Sequence, residues 1–315
     1  MANTFRLLIV DDVHELLLKK LAVVPGLELD YRPFLAPSEV IEALKTAHGL
    51  VIRSKIQLSG QVLAMAAGLR FIARAGAGMD NIDEGAAREL GIRLFNAPEG
   101  NRQAVAEHVL AMLLMLFNQL RQADAQVRQG IWEREANRGL ELSGKTVGII
   151  GYGHNGSATA ELLAAVGCKV LAYDKYKTGF GNAQVHESRM ERLFEEADIL
   201  SLHIPLTSET RGMINSAFLG AFAKPIRLVN AARGEIVVLS DLAAALDNGQ
   251  VQGVCLDVLE NEKPENWNPV IMNRLFAHPH VVFSPHVAGW TVESYRKISE
   301  VLANKLLHEF FVHSD

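Results

Sequence analysis

The 315-residue sequence lacks the features that mark several large protein classes. It has two cysteines, no apolar run near the ~20 residues needed to span a bilayer, and no basic-then-apolar start typical of a signal peptide. Acidic and basic residues are interspersed and the formal net charge is −5, so there is no basic surface for nucleic acid or an anionic membrane. We therefore expect a cytoplasmic protein that binds neither nucleic acid nor membrane.

Cysteine and metal chemistry are also poorly represented. Cys168 and Cys255 lie in apolar, strand-like settings, which is typical of inert buried thiols in a reducing compartment. The sequence has eleven histidines, of which His278, His280 and His286 lie near one another, but zinc sites usually show tighter Cys/His spacing. We predict no metal site.

What the sequence does contain is two successive alternations of strands and helices. Short apolar runs alternate with amphipathic stretches over the first hundred residues, and again from "GKTVGIIG" onward. Between them, after a break at Pro98, one long helix is predicted from about Arg102 to about Arg128. Such alternation predicts parallel sheets covered by helices on both faces. The predicted fold class is α/β, with two doubly wound parallel-sheet domains.

The second alternation opens with a dinucleotide-binding fingerprint, "VGIIGYGHNG". Gly151 would make the tight turn, Gly153 would let the backbone approach a pyrophosphate, and Gly156 would let the next helix pack on the sheet. Free N–H groups at the helix start would face the phosphates. His154 and Asn155 either contact the pyrophosphate or are solvated. The pattern predicts NAD binding, and the alternative is a glycine turn that binds nothing.

The acid expected for the adenosine ribose is Asp174. It ends the next strand, 23 residues after Gly151 (174 − 151), close to the ~20 residues typical of this position. A carboxylate there accepts hydrogen bonds from the ribose hydroxyls and repels a 2′-phosphate, which favours NAD over NADP. The neighbouring Lys175 weakens that preference.

Polar side chains follow three later strands. Arg233 comes after the strand in "LVNAARGEIV", and His286 after the strand in "VVFSPHVAGW". The segment "CLDVLENEKP" carries Asp257, Glu260 and Glu262. Because ligands of open parallel sheets bind outside the carboxyl ends of the strands, we expect these residues to converge near the nicotinamide.

Arginine, histidine and glutamate together suit the oxidation of a 2-hydroxy acid. An arginine binds a carboxylate in bidentate fashion and polarises the adjacent carbonyl. A histidine takes the hydroxyl proton, and a glutamate bonded to it orients the ring and raises its pKa. Taken singly, each has a structural alternative: a salt bridge for Arg233, a solvated loop for Glu262 and a satisfied core position for His286.

The motifs resemble, in type and order, those of the D-isomer-specific 2-hydroxyacid dehydrogenases. They are "GYGHNG", "HIPLTSETRGMI", "NAARGEIV", "LDVLENEKP" and "SPHVAGWTVES", and the similarity covers nearly the whole chain. The resemblance implies that Arg233 binds and polarises the substrate and that Glu262 pairs with His286, the acid/base. Relatives usually have proline directly after this glutamate, whereas Lys263 intervenes here, which leaves Glu260 as the fallback.

The same resemblance implies further contacts to NAD. These residues are His203, Ile204, Pro205, Ala231, Ala232, Asp257, Gly289 and Ala77. Relatives often have threonine where Ile204 stands, so a main-chain contact is expected there.

A discontinuous substrate domain is also implied. We expect residues 1–98 and 290–315 to form a flavodoxin-like substrate domain, and residues 99–289 to form a Rossmann domain inserted into it. The C-terminal helix would then return to the first domain.

Two segments of the first domain closely resemble D-3-phosphoglycerate dehydrogenases: "VIRSKIQLSG" and "FIARAGAGMDNIDEGAARELGIRLFNAPEGN". Arg53 and Arg74 match basic positions that face the substrate phosphate, and Arg134 matches a third that reaches across a dimer interface. The alternative is that these are surface arginines, or that they bind another anionic acid. The "AGAG" turn would hold a carboxylate with its N–H groups. The other expected substrate contacts are Ser54, Gly76, Ala77 and Gly78.

We therefore predict NAD-dependent oxidation of 3-phospho-D-glycerate to 3-phosphohydroxypyruvate, the entry step of serine synthesis. The long helix and "QGIWERE" are expected to form a homodimer. The sequence stops at Asp315, just after the last helix, so we expect no serine-sensing regulatory domain. The alternatives are a glyoxylate or hydroxypyruvate reductase, which needs no phosphate site, and an NAD-sensing corepressor built on the same scaffold.

Overall fold

The computed structural model describes residues 4–311, which form two compact units. One comprises the described residues up to Asn101 together with those from Trp290, and the other runs from Arg102 to Gly289. The expected domain boundaries lie after residues 98 and 289. The assignment of the first unit to the substrate stays a prediction, and its outermost parts, residues 1–3 and 312–315, lie outside the described residues.

The strands and helices have the following bounds. The strands are β1 (Phe5–Ile9), β2 (Leu27–Tyr31), β3 (Gly49–Ile52), β4 (Phe71–Arg74), β5 (Arg93–Phe95), β6 (Thr146–Ile150), β7 (Lys169–Tyr173), β8 (Val185–Glu187), β9 (Ile199–Leu202), β10 (Ile226–Asn230), β11 (Val251–Leu256) and β12 (Val281–Phe283). The helices are α1 (Glu15–Leu21), α2 (Pro37–Leu44), α3 (Gly60–Ala64), α4 (Glu84–Glu89), α5 (Pro98–Phe117), α6 (Leu120–Arg128), α7 (His154–Ala165), α8 (Met190–Glu196), α9 (Ser216–Gly220), α10 (Leu239–Asp247), α11 (Pro269–Ala277) and α12 (Val292–Leu306).

The first unit is a parallel sheet in the order β2-β1-β3-β4-β5. Every residue of β3 is buried, as expected for a strand of a parallel sheet that is covered on both faces. A Cβ on Gly49 would lie 2.6 Å from the ring of Phe71, so only glycine fits this position. The C-terminal helix α12 buries Leu302 and Leu306 in the same core as Phe71. The last helix therefore stabilises the sheet that the first hundred residues form.

The second unit is a parallel sheet in the order β12-β11-β10-β9-β6-β7-β8. The strand order reverses between β6 and β9, and ligands of such sheets bind at that reversal, outside the carboxyl ends of the strands. The expected α/β class with two doubly wound parallel sheets is confirmed. Strand β8 was not predicted from the sequence, because it has only three residues, two of them exposed.

The prediction of a single helix from about Arg102 to about Arg128 is wrong. Helix α5 begins at Pro98, since proline is well accommodated in the first turn, and it is followed by a second helix, α6, inclined by 61°. At the break, Gln119 has a left-handed φ of 52°. The Phe117 carbonyl there accepts a hydrogen bond of 2.9 Å from the Leu140 N–H, so another segment caps the first helix.

Membrane-spanning potential is limited to this bent pair. Over residues 4–311 no single helix is both long and apolar enough to cross a membrane, and α5 and α6 reach the required length and composition only when they are taken together.

Candidate active site

The glycine-rich turn after β6 has the geometry of a phosphate-binding loop. Gly151 has a φ of 92°, and a Cβ there would lie 2.5 Å from the carbonyl oxygen of His203. A Cβ on Gly156 would lie 1.9 Å from the carbonyl oxygen of Gly151. Both positions therefore require glycine, because the obstacles are main-chain atoms. By contrast, a Cβ on Gly153 would meet nothing within 4 Å, so the space in front of this residue is open.

The start of helix α7 fits the phosphates and polar groups of a dinucleotide. Gly153 is the N-cap, and no side chain caps the helix there, so its first N–H groups face the open side of the turn. Asn155 adds an amide oxygen that is buried without a hydrogen-bond partner. His154, the other variable residue of the fingerprint, is exposed. Residues 151–156 therefore fit the cofactor that the fingerprint predicts.

Asp174 lies beside this turn and is ionised. Its Oδ2 accepts a 2.7 Å bond from the Tyr152 N–H, and its Oδ1 accepts bonds from the N–H groups of Tyr176 and Lys177. Partial burial raises the pKa of Asp174, but these N–H donors and the Lys177 charge together hold the pKa below its usual value. The adjacent Lys175 ammonium is paired with Glu209. The positive charge of Lys175, which weakened the predicted preference for NAD, is therefore balanced by a carboxylate.

The loop after β9 completes the wall of the turn. His203 Nε2 lies 2.9 Å from Ser201 Oγ, and burial lowers the pKa of His203 to about 4, so the ring is neutral near pH 7. Ile204 Cγ2 packs against Gly151, and the Pro205 carbonyl accepts a 2.7 Å bond from Thr210. These contacts hold the His203 main chain against the glycine turn.

Arg233 is held in a turn of fixed shape after β10. The Asn230 side chain is fully buried, donates to the Arg233 carbonyl at 2.9 Å and accepts from the Ala232 N–H at 3.1 Å. One Arg233 guanidinium N–H donates to the Ala232 carbonyl at 2.6 Å. A Cβ on Gly234 would lie 1.8 Å from the carbonyl oxygen of Leu259. The arginine turn and the loop that carries the candidate glutamates are therefore packed main chain to main chain.

Asp257 organises the segment that carries the candidate histidine. Its carboxylate is buried and accepts bonds from Ser284 Oγ at 2.6 Å and from the Val287 and Ala288 N–H groups at 2.9 Å. Its carbonyl accepts a 2.7 Å bond from the His286 N–H. One residue thus holds the whole turn from 284 to 288. These contacts do not support the predicted role of Asp257 in NAD binding. That role stays a prediction.

His286 and Glu262 are in contact. Their Nδ1 and Oε1 atoms lie 2.8 Å apart, and both side chains are about half exposed. His286 has a φ of 55°, a conformation that non-glycine residues rarely adopt and that persists only where surrounding contacts impose it. The hydrogen bonds to Asp257 supply that constraint. The contact favours Glu262 over Glu260 as the partner of the histidine.

An apolar pocket of about 400 Å³ adjoins this pair. Asp257, Glu262 and His286 line one side of it, and the aromatic rings of Trp267 and Phe283 line another. The apolar wall offers a surface for the carbon skeleton of a ligand beside the polar pair.

The sequence did not predict His108 and Ser284, which support the histidine turn. His108 of α5 places its Nε2 2.8 Å from Ser284 Oγ and 3.5 Å from Asp257 Oδ1. A signal was present, because Glu107 and His108 interrupt an otherwise apolar helix. Such an interruption indicates a polar contact made inside a core.

The first unit carries the candidate anion-binding arginines on neighbouring strands. Ile52 and Arg74 are register partners on β3 and β4, so Arg53 and Ser54 follow one strand end and the "AGAG" turn follows the other. The Arg53 guanidinium stacks on the Trp290 ring at 3.9 Å. Burial lowers the pKa of Arg53, and the charge of nearby Asp11 opposes that shift.

The "AGAG" turn offers fewer N–H groups than predicted. Ala75 N–H bonds the Ile52 carbonyl and Gly76 N–H bonds the Arg74 carbonyl, both at 2.8 Å, whereas the described contacts leave the Ala77 and Gly78 N–H groups available. The Arg74 guanidinium lies directly over Gly76, where a Cβ would be 1.6 Å from its Nη1. Only the Ala77 and Gly78 N–H groups of this turn are therefore available to bind an anion.

Arg134 and Gly289 are two further predicted site residues. Arg134 belongs to the second unit, on the exposed segment between α6 and β6, and its carbonyl accepts a 3.3 Å bond from the Asn137 N–H. Gly289 is the last residue of that unit. Their roles stay predictions.

Both cysteines are buried and free. Burial raises the pKa of Cys168 to about 11 and raises that of Cys255 further, so neither forms a thiolate near pH 7. Within residues 4–311 no group of three or more His, Cys, Asp or Glu side chains is placed to hold a metal ion.

Comparison with known proteins identifies the family. Residues 110–288 match the model of the D-isomer specific 2-hydroxyacid dehydrogenase, NAD binding domain. The chain belongs to the D-isomer specific 2-hydroxyacid dehydrogenase family, and its second unit is the NAD-binding domain.

Named relatives agree with this assignment. The chain is 35% identical over 285 residues to a D-3-phosphoglycerate dehydrogenase of Archaeoglobus fulgidus, covering 90% of this chain and 53% of the relative. It is 34% identical to the Haemophilus influenzae enzyme of the same name, covering 97% and 74%. The structure of Aquifex aeolicus D-lactate dehydrogenase with NAD and lactic acid matches with a TM-score of 0.82 at 27% identity, covering 98% of this chain and 96% of the other. The chain spans about half the length of several of the curated relatives.

Proposed function

We propose that the protein oxidises 3-phospho-D-glycerate to 3-phosphohydroxypyruvate with NAD. The observation that carries the dehydrogenase part of the proposal is the 2.8 Å contact between Glu262 and His286, at a histidine held in a left-handed conformation. A histidine constrained in this way is typical of a residue whose ring direction matters for function.

In this proposal, His286 takes the proton of the substrate hydroxyl and Glu262 stabilises the imidazolium that results. Arg233 binds the carboxylate and polarises the carbon–oxygen bond being oxidised. The turn held by Asn230 keeps Arg233 in one backbone conformation, and Asp257 does the same for His286. When bound, NAD accepts the hydride that leaves the same carbon.

The choice of NAD over NADP follows from charge. Asp174 is ionised, and its position beside the Gly151–Gly156 turn makes a 2′-phosphate unfavourable. Lys175 cannot compensate while it is paired with Glu209.

The substrate phosphate is assigned to the first unit. Arg53 presents a stacked guanidinium, and among the described residues no carboxylate lies within ion-pair distance of it. Arg74 lies over the turn whose Ala77 and Gly78 N–H groups are available. Guanidinium groups and backbone N–H groups are the donors that bind a phosphate or a carboxylate. The names of the matched relatives point to the same substrate.

We further propose a homodimer in the cytoplasm. Apolar side chains are exposed on α6 and on the segment after it, among them Val127, Ile131 and Trp132, the last at 76% exposure. Exposed apolar patches of this kind mark contacts with other chains. The two buried thiols suit a reducing compartment.

The test is NADH consumption by the purified chain offered 3-phosphohydroxypyruvate, hydroxypyruvate, glyoxylate and pyruvate in parallel. We expect the phosphorylated acid to have the highest kcat/KM, and His286→Gln to lower kcat by about 10²–10⁴ while NADH still binds. A preference for glyoxylate or hydroxypyruvate would leave the catalytic set intact and overturn the phosphate assignment. NADH binding without any turnover would favour the sensor alternative.

The matched control is Arg53→Gln. It should raise KM for the phosphorylated acid far more than KM for glyoxylate, since only the former has a second anionic group. Equal effects on both substrates would mean that Arg53 does not contact the phosphate.

A further inference from the structure

A second cavity, which has basic residues in its lining, lies at the amino ends of strands of the NAD-binding sheet. Arg227 is the second residue of β10, Val251 begins β11 and His280 directly precedes β12, and all three line one cavity of about 540 Å³. These are the amino ends of the strands. The residues of the candidate active site, Arg233 and His286, follow the carboxyl ends of the same strands, so the two sites are separated by the length of the sheet.

The polar wall of this cavity combines a guanidinium with two imidazole rings. Arg227, His278 and His280 face it, and the two imidazole rings have centroids 5.8 Å apart. The His280 N–H donates to His278 Nδ1 at 3.2 Å, so a neutral His278 carries its proton on Nε2 and has a donor to offer. Burial lowers the pKa of His280, and repulsion from its basic neighbours lowers it further, which favours the neutral ring. Arg227 therefore supplies the permanent positive charge among these three groups.

The carboxylates near the cavity form their ion pairs with residues other than Arg227. Asp198 is engaged by Lys224 at 2.6 Å and by the Thr146 N–H at 2.7 Å. Asp247 pairs with Arg274. Glu135 pairs at 2.7 Å with Arg138, a more exposed residue of the cavity wall. Burial lowers the pKa of Arg227 and the charge of Asp198 opposes that shift, but among the described residues no carboxylate lies within ion-pair distance of Arg227.

The remaining wall is apolar and positions the guanidinium. Arg227 Cζ lies 4.7 Å from the centre of the Phe117 ring, which leaves the edge of the guanidinium for a ligand. Leu116, Leu140 and Leu246 extend the apolar surface. A cavity of this size and composition is suited to a small organic molecule with one strongly anionic group.

We propose that this cavity binds an organic phosphate. Its phosphoryl group would lie against Arg227, His278 and His280, and its apolar or aromatic part against Phe117 and Leu116. The cavity is lined by residues of the NAD-binding domain other than those of the cofactor turn, and the proposal does not depend on the proposed reaction.

The test is calorimetric titration of the full chain at saturating NADH, which keeps the glycine turn filled. The probes are phenyl phosphate, inorganic phosphate and phenol. We expect phenyl phosphate to bind more tightly than inorganic phosphate and phenol not to bind. Arg227→Gln should weaken phenyl phosphate about tenfold, because a hydrogen bond to a charged group is lost, and Arg227→Lys should recover part of that loss. His278→Gln should weaken it less.

Arg274→Gln is the control and should not change binding, whereas Arg53→Gln should remove only a second phosphate equivalent bound at the substrate arginines. Loss of binding in Arg53→Gln with none in Arg227→Gln would place the ligand at the substrate arginines and overturn the proposal. Equal affinity of the wild type and every variant for inorganic phosphate would also overturn the proposal, because it would indicate an adventitious ion only. Thermal unfolding shows whether each variant is folded. If Arg227→Gln does not fold, Arg227→Lys still tests the role of the guanidinium. Light scattering measures the oligomeric state of each variant in parallel. An Arg227 variant that changes the oligomeric state but binds phenyl phosphate normally would contradict a ligand site.

Discussion

Two glycine-containing turns follow buried strands, one in each unit, and they differ in what surrounds the glycine. In the NAD-binding domain, Gly156 lies in the first turn of a twelve-residue helix and faces the main-chain carbonyl of Gly151. In the first unit, Gly76 faces the end of the Arg74 side chain, and no long helix follows. The first turn is held by main-chain contacts, whereas the second is covered by a guanidinium. Similar glycine turns thus carry different kinds of hydrogen-bond donor.

Gly156→Ala should have the largest effect. Its Cβ would overlap a carbonyl oxygen at 1.9 Å, so the turn or the helix must shift, and NADH binding should be lost together with part of the stability. Fluorescence titration with NADH and thermal unfolding measure both. Normal NADH affinity in this variant would contradict the role of the close helix–turn contact.

Acidification should weaken the NAD-binding domain before the first unit. The pKa of His203 is lowered from 6.5 to about 4, so between these values the unfolded state binds a proton that the folded state does not. Stability is therefore complete above pH 6.5 and falls as the pH drops, by up to about 3 kcal/mol near pH 4.

Hydrogen exchange at pH 7, 6 and 5 distinguishes the two units. Protection in β6 and β9 should fall first, whereas the first unit holds Asp30, whose pKa lies below its usual value and which loses its ion pairs only at lower pH. His203→Gln should remove the loss between pH 6.5 and 5. If that variant keeps the same pH profile, His203 is not its source.

Gly76→Ala should have a milder effect than Gly156→Ala. The added Cβ meets a flexible side chain, so the fold and NADH binding should persist while Arg74 is displaced. We expect KM for the anionic substrate to rise about tenfold with kcat little changed, since one charge-assisted contact is lost. A variant that unfolds like Gly156→Ala would end the contrast between the two turns.

Trp290 should have the smallest effect and the most specific one. It holds the face of the Arg53 guanidinium at 3.9 Å and is therefore a positioning residue. Trp290→Ala should raise KM for the anionic substrate by about fivefold, as expected for an exposed cation–π contact, and leave kcat and stability unchanged. Trp290→Phe should restore most of the affinity. Equal loss in both variants would show that the ring does not act through Arg53.

Local patterns along the chain were sufficient for the fold class and for most strands. Buried parallel strands are continuous apolar runs, and the glycine turn is recognised because main-chain crowding at Gly151 and Gly156 admits no side chain. The break between α5 and α6 escaped prediction, because it depends on a hydrogen bond from Leu140, which lies far beyond the helix in the chain.

The candidate site divides in the same way. The sequence by itself determined which residue types follow which strand ends, and so nominated Arg233, Glu262 and His286. Only the tertiary structure decided that Glu262 and not Glu260 reaches the histidine, that Asp257 and His108 hold the histidine turn, and that half of the "AGAG" N–H groups are already bonded. The physical reason is that a strand end has a position set by local order, whereas a hydrogen-bond partner is set by residues that meet only after the sheet has formed.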